Sequence, residues 1–384
     1  MAKPRLLFVV NVDWFFLSHR LPIARQALAQ GYEVHIATTL THGHDELVAQ
    51  GLVVHPIQLQ RGSSGLGSAV RAFRDMLAVM RRTRPDIVHL VTIQPVLLGG
   101  IAARLARVPA MVAAISGLGF VFLARGWRAA ARRVAIRLLY RLALGHPNSK
   151  VIFQNENDRQ TVSQLAGLAD VSSVLIRGSG VSLDAFQPSP LPEGPPVVML
   201  AARLLSDKGV REFVDAARAL RRQVPTDQLA PRFVLVGDTD ADNPASLARA
   251  ELERWQAEGV VELWGQRDDM PAVLAQATVV VLPSYREGLP KVLIEAAAAG
   301  RPVVTTDVPG CRDAITPGVT GLLVPSKNAA ALAEAIHTLL RDRDRCARMG
   351  AAGRVLAEQA FDVNRVVAQH LAVYRGLLHE AQQP

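Results

Sequence analysis

The sequence predicts an α/β protein of two doubly wound parallel sheets facing each other across a cleft, with helices at the end of the chain packing back. Its 384 residues exceed what one ordinary core holds. Short runs rich in Val, Ile and Leu alternate with helix-like runs, the pattern of parallel strands covered by helices on both faces. Five of the nine residues from Pro188 to Pro196 are proline, which neither a central strand nor a helix interior accommodates. That run marks the expected boundary between an N-terminal domain, 1–187, and a C-terminal domain, 188–384.

In the first domain the expected strands are RLLFVV, YEVHIATT, GLVVHPIQL, DIVHLVT, AMVAAIS and KVIFQN, with LPIARQALAQG as the first helix. The N-terminal apolar run stops at Asn11 and Asp13, too soon for a signal-peptide core, and reads as a buried first strand. Val108 to Ala124 is the longest uncharged stretch. Pro109, Ser116, Gly117 and Gly119 interrupt it, and it falls short of the ~20 residues of a bilayer-spanning helix, so it reads as a strand and a loop.

The alternation restarts with VVMLAAR, a helix over 210–223, RFVLVGD, a helix over 247–258, VVELWG, TVVVLPS, a helix after Pro290, RPVVTTD and GLLVP. From Asn328 to Ala381 the pattern is almost wholly helical, long enough to pack across both domains. Ligands of parallel sheets bind beyond the carboxyl ends of the strands, where strand order reverses. Two such Rossmann-like edges suit two substrates, but a fold does not fix a function, and the residues must decide it.

Composition excludes a disordered chain, with 49% hydrophobic and 20% charged residues. Cys311 and Cys346 lie far apart, which excludes a CxxC framework and fits a reducing cytoplasm. Net charge is +9, and no acidic residue occurs between Ile87 and Asn155, where Arg104, Arg107, Arg125, Arg128, Arg132, Arg133, Arg137, Arg141 and Lys150 lie. Such a patch suits a polyanion or an anionic membrane. Trp127, Ala131, Val134, Leu138 and Leu142 recur at helical spacing with arginines around the remaining faces, the pattern of a helix lying in a headgroup layer. The competing reading is a helix whose apolar stripe covers the sheet. Interleaved aromatics, helix-turn-helix and RNP patterns are missing, which disfavours nucleic acid. No GxGxxG follows the first strand, against a nicotinamide oxidoreductase.

The chemistry concentrates in TVVVLPSYREGLPKVLIEAAAAGRPVV. A buried strand ends in a polar turn holding Glu287, Gly288 lets backbone approach a ligand, and Pro290 suits the first turn of a helix. The first helix amides and the dipole favour an anion there. Glu295, eight residues after Glu287, lies one to two turns into the helix. Two carboxylates can accept hydrogen bonds from sugar and ribose hydroxyls flanking a phosphate. The alternative is a solvated loop Glu and a helix Glu paired with Lys291. Upstream, Arg203 follows a strand and Lys208 precedes Gly209 and a helix, so that both cations stand where a diphosphate could sit.

The chain resembles the GT-B retaining glycosyltransferases of glycosyltransferase family 4, whose paired-glutamate motif E-x7-E is matched by Glu287 and Glu295. It is most similar to the branch that elongates undecaprenyl-diphosphate-linked oligosaccharides for bacterial O-antigens and protein glycans. FLSHRLPIARQALAQGYEVHIAT, HLVTIQPVLLGGIAARLARVP, AAISGLGFVF, AARLLSDKGVREF and PSYREGLPKVLIEAAAAGRPVV carry the resemblance. It implies a UDP-sugar donor, a lipid-linked acceptor, no metal or other cofactor, and work at the inner face of the cytoplasmic membrane. Arg203 and Lys208 would bind the diphosphate, Glu295 the ribose, and Glu287 the transferred sugar, with Gly288, Leu289 and Pro290 against sugar and phosphates. Rival readings are a GT-B enzyme with a soluble acceptor and a sugar-nucleotide epimerase.

Two departures from the family pattern stand out. The usual N-domain histidine has no counterpart after Ala114-Ile115-Ser116-Gly117, and the usual glycine-rich first loop reads Asn11-Val12-Asp13-Trp14. Asp13, His19 and Ser116 are weaker candidates for the acceptor side. Asp238-Thr239-Asp240 resembles a metal-binding DxD of another fold, but three-residue matches are common by chance and this one follows RFVLVGD, where the GT-B resemblance puts the nucleotide base; His42-Gly43-His44-Asp45 shows no third ligand at a characteristic spacing and reads as a polar loop.

Overall fold

The computed structural model describes residues 3–59, 65–117, 127–222, 230–241 and 243–381, with the side chains of 66 and 127–135 excepted. Thirteen strands among these residues form two parallel sheets. The first holds β1 (Arg5–Val12), β2 (Glu33–Thr39), β3 (Val53–Pro56), β4 (Ile87–Val91), β5 (Ala110–Ile115), β6 (Ser149–Phe153) and β7 (Ser173–Leu175), in the order β3-β2-β1-β4-β5-β6-β7. The second holds β8 (Val197–Ala201), β9 (Arg232–Val236), β10 (Glu262–Gly265), β11 (Val279–Leu282), β12 (Val303–Thr306) and β13 (Gly321–Val324), in the order β10-β9-β8-β11-β12-β13.

The apolar runs became central strands because both faces of each sheet are covered. Every residue of β4, β5, β8 and β11 is buried. Along β8, Val197, Met199 and Ala201 join one core, while Val198 and Leu200 join the core on the opposite face. That is the two-residue period of a strand with no solvent face.

The division of the chain differs from the expected one. One compact unit comprises Met1–Ser179 with Asn364–Pro384, and the other Gly180–Val363. The proline-rich run is no free linker, because guanidinium groups of the second unit hold its carbonyls. Arg301, fully buried, donates to Pro190 O as well as to Leu274 O and Ala275 O, and its Nη2 also meets Ser189 Oγ. Arg343 donates to Leu191 O at 2.8 Å and to Pro192 O. The chain changes unit earlier, beside its own return: Val181 N donates to Phe361 O and Val363 N to Val181 O.

The long C-terminal helical stretch is three helices with two destinations. Ala329–Leu340 and Arg343–Ala360 belong to the second unit, whereas Val363–Ala381, expected in the second domain, packs on the first. It buries Val366, Val367, His370, Leu371, Tyr374 and Leu377, spaced by three and four residues. Tyr374 Oη lies 2.6 Å from His89 Nδ1 on β4, and Asn148 Nδ2 donates to Leu377 O.

Candidate functional site

In the second unit the strand order reverses between β8 and β11, so the carboxyl ends of these strands form the switch point where parallel sheets bind ligands. Lys208 follows the first end and Glu287 the second. Lys208 Nζ donates to Glu287 Oε1 at 2.5 Å, and Ser284 Oγ donates to the same oxygen at 2.6 Å. The two charged side chains are largely shielded, 19% and 12% exposed.

Close backbone approaches build this arrangement. Lys208 ends a tight turn, Ser206–Lys208, and Gly209 follows at φ +71° before helix Val210–Arg221. A Cβ on Gly209 would lie 2.2 Å from Pro283 O, so glycine lets the turn press on the end of β11. The loop after β12 closes in from the other side. A Cβ on Gly310, at φ +82°, would fall 2.5 Å from the carbonyl oxygens of both Glu287 and Gly288, and Glu287 N donates to Pro309 O at 3.3 Å.

Arg203 lies just past β8, and its Nη1 donates to Asp240 Oδ2 at 2.7 Å. Arg249 Nη1 lies 3.6 Å from Asp238 Oδ1. The DxD-like triplet thus faces cations. Among the described residues no group of three or more His, Cys, Asp and Glu side chains could hold a metal ion.

Glu295 lies within helix Lys291–Ala298 and is buried, with Lys291 Nζ 3.3 Å away. This is the pairing that sequence reading left open as the alternative. Burial pushes its carboxyl above the usual range, with Lys291 opposing. Pro290 is the N-cap, one position before the expected first turn, and offers no side-chain acceptor to the amides beyond it. Leu289 packs into the core and Gly288 is buried.

Ser284, Tyr285 and Gly310 were not singled out from the sequence. Tyr285 Oη donates to Glu212 Oε1 at 2.6 Å, its amide donates to Asp207 O, and Lys327 Nζ stands 4.7 Å from the centre of its ring. The signals were present: Ser284 and Tyr285 share the turn with Glu287, and Pro309-Gly310 follows RPVVTTD.

The acceptor-side candidates lie in the first unit with different environments. Asp13 is fully buried and accepts from Trp14 N, Thr41 N, Thr41 Oγ1 and Gly43 N at 2.6–2.8 Å. Desolvation opposes its ionisation, yet these donors together hold its carboxyl below the usual range. Its oxygens therefore fasten the loop after β2. His19 stacks on Phe15 with centroids 4.1 Å apart. Ser116 Oγ is buried without a hydrogen-bond partner among the described residues.

The basic helix runs from Trp127 to Leu144. Arg125 and the side chains of Trp127, Arg128, Ala131, Arg132, Arg133 and Val134 lie outside the described residues. Tyr140, Ala143 and Leu144 are buried, whereas Leu138 and Leu142 are 59% and 46% exposed. Leu105 on the helix Gly100–Leu105 is exposed as well. Among the described residues of this helix the buried set is thus Tyr140, Ala143 and Leu144, and not Leu138 and Leu142 of the sequence pattern. Among the described residues no helix is long and apolar enough to cross a membrane.

Comparison with known proteins agrees with this architecture. The family model for glycosyl transferase 4-like proteins matches residues 5–155, and that for glycosyl transferases group 1 matches 195–342. The chain is 29% identical over 381 residues to N,N'-diacetylbacillosaminyl-diphospho-undecaprenol alpha-1,3-N-acetylgalactosaminyltransferase of Campylobacter jejuni, covering 94% of this chain and 97% of that protein. It is 24% identical to UDP-Gal:alpha-D-GlcNAc-diphosphoundecaprenol alpha-1,3-galactosyltransferase of Escherichia coli, covering 71% of each. In fold it is similar to sucrose-phosphate synthase from Thermosynechococcus elongatus, with a TM-score of 0.79 at 22% identity, covering 98% and 100% of the two chains. Matched in both halves by glycosyl transferase families and built on two parallel-sheet domains, the chain is a glycosyltransferase of the GT-B fold.

Proposed function

We propose that this glycosyltransferase moves a hexose or N-acetylhexosamine from a UDP-sugar to an undecaprenyl-diphosphate-linked saccharide, with retention and without a metal ion, in O-antigen or related bacterial glycan synthesis. The observation that carries the reading is the Lys208–Glu287 pair at the β8/β11 switch point, beside the helix that holds Glu295. The names of the Campylobacter and Escherichia relatives support the lipid-linked acceptor, and the latter supports UDP.

In this reading the donor diphosphate takes up Lys208 and Arg203, and the amides after Pro290 face its charge. Glu295 accepts from ribose hydroxyls and Glu287 from the transferred sugar. The bond from the anomeric carbon to the diphosphate breaks as an acceptor hydroxyl adds on the same face, and the hydroxyl proton passes to the departing phosphate oxygen. The chain contributes chiefly charge stabilisation of that leaving group. Exposed Leu105, Leu138 and Leu142, in a segment free of acidic residues, support a peripheral seat on an anionic inner-membrane surface.

The test is a screen of UDP- and GDP-sugars for transfer onto extracted lipid-linked acceptors, with the product read by mass. Transfer of one sugar from a UDP donor, at wild-type rate in EDTA and with the anomeric configuration kept, is the expected result. A soluble acceptor used in preference to the lipid fraction overturns it.

A further inference from the structure

In the first sheet the strand order reverses between β1 and β4, and the ligand edge of such a sheet lies at the carboxyl ends of its strands. A cavity of about 450 Å³ lies at the other edge, where the chain enters β4 and β5. Its size is that of a small-molecule site.

Two successive connections build it in the same way. Helix Leu66–Thr83 ends at Arg84, at φ +46°, and Pro85 and Asp86 lead into β4. Helix Gly100–Leu105 passes through Ala106 to Arg107, at φ +56°, and Val108 and Pro109 lead into β5. Ile87 pairs with Ala110, which sets the two connections side by side. A chain commonly leaves a helix through a left-handed residue, but that residue is usually glycine, which has no Cβ to strain. Among the described residues four that are not glycine adopt a positive φ, and two of them are these neighbouring arginines.

Helix capping does not account for them. A cation at a helix C-terminus suits the dipole and can donate to the last carbonyls, yet the side chains of Arg81, Arg84 and Arg107 make no hydrogen bond or ion pair among the described residues. All three line the cavity and reach solvent. The one carboxylate in the lining, Asp86, turns to β1, where its Oδ2 accepts from Arg5 N at 2.7 Å, and no acidic residue follows it until Glu156. Met80 and Val108, 1% and 5% exposed, form an apolar floor.

We propose that this cavity binds a small soluble phosphate ester, its apolar part on Met80 and Val108 and its phosphate among Arg81, Arg84 and Arg107. Three unpaired guanidinium groups offer forked donors that match phosphate oxygens and supply the counter-charge. The order of polarity selects a soluble ligand. A membrane phospholipid would enter headgroup first, with its phosphate on the apolar floor and its chains at the cationic rim. The cavity is built wholly within the first unit and shares no residue with the Lys208–Glu287 site of the second.

The test titrates phenyl phosphate, a phosphate on a compact apolar ring, into the full chain by calorimetry. One saturable site is expected, in the wild type and equally in Arg203→Ala/Lys208→Ala, which lacks the cations of the second unit's site. Arg84→Gly/Arg107→Gly should raise the Kd at least tenfold, melt no lower than the wild type because glycine suits both backbones, and sediment with phosphatidylglycerol vesicles as the wild type does. Absence of binding in the wild type overturns the proposal, as does a wild-type Kd in the glycine variant or a loss of the site in Arg203→Ala/Lys208→Ala. A lower Tm in the glycine variant makes the arginines structural, and vesicle binding lost together with phenyl phosphate assigns them to the membrane surface; either result also overturns it.

Discussion

Replacing Lys208 by methionine removes one charge of a shielded pair and leaves Glu287 with Ser284 as its side-chain partner among the described residues. A net hydrogen bond to a charged group is worth about 1.5–3 kcal/mol, and breaking a fully buried ion pair costs about 3–5 kcal/mol. The 19% and 12% exposures place this pair near the lower range, at about 2 kcal/mol. A domain of this size loses about 2–4 °C per kcal/mol, so Lys208→Met should melt about 4–8 °C lower. Glu287→Gln should cost less, because glutamine still accepts from Ser284 and the lysine can extend toward water. The double variant should be more stable than the sum of the single losses by about 1–2 kcal/mol. Urea unfolding of the four proteins measures this, with Trp255 and Trp264 reporting on the second unit. Additivity within about 0.5 kcal/mol would refute the pairing.

Further outcomes follow from other residues. Arg203→Ala should lower kcat/KM at least tenfold, the loss of a transition-state contact worth about 1.4 kcal/mol, in assays with and without EDTA; dependence on added metal would revive Asp238 and Asp240 as ligands. Glu295 is held above its usual pKa, so its protonated form is the one the fold favours and its ionisation costs stability as pH rises through the folded pKa. Glu295→Gln should therefore stabilise the protein at pH 8, show a smaller gain at pH 4.5 in urea titrations, and weaken UDP binding. Asp13 is held low, so its contribution is present above the usual aspartate range and fades as pH falls through the folded pKa; Asp13→Ala should cost about 3 kcal/mol at pH 7 and less at pH 3. Leu138→Ser with Leu142→Ser should leave the melting temperature unchanged but reduce salt-sensitive sedimentation with anionic liposomes, whereas unchanged sedimentation would place the membrane contact elsewhere.

The sheets were legible because strands buried on both faces are written as unbroken apolar runs: VVMLA and AMVAAI admit little else. β7 was not, since three half-buried residues at a sheet edge carry no pattern. The proline run misled because Arg301, more than a hundred residues later in the chain, turns it into part of a core. In the site, Lys291–Glu295 could be read as a helical i,i+4 pair. Lys208 and Glu287 could each be named as site residues, but not as partners, because 79 residues separate them and only the fold joins them.

The placement of the last helix bears on how the chain is made. During synthesis the second unit has all of its residues once Val363 has emerged, because Gly180–Val363 is continuous. The first unit, begun earlier, still lacks the helix that covers β4, and His89 waits 285 residues for Tyr374. The part of its sheet around His89 lacks that helix while the later unit closes, the reverse of the usual N-to-C order of domain completion. A circular permutant that opens the chain near Ser179 and joins Pro384 to Met1 would make each unit continuous.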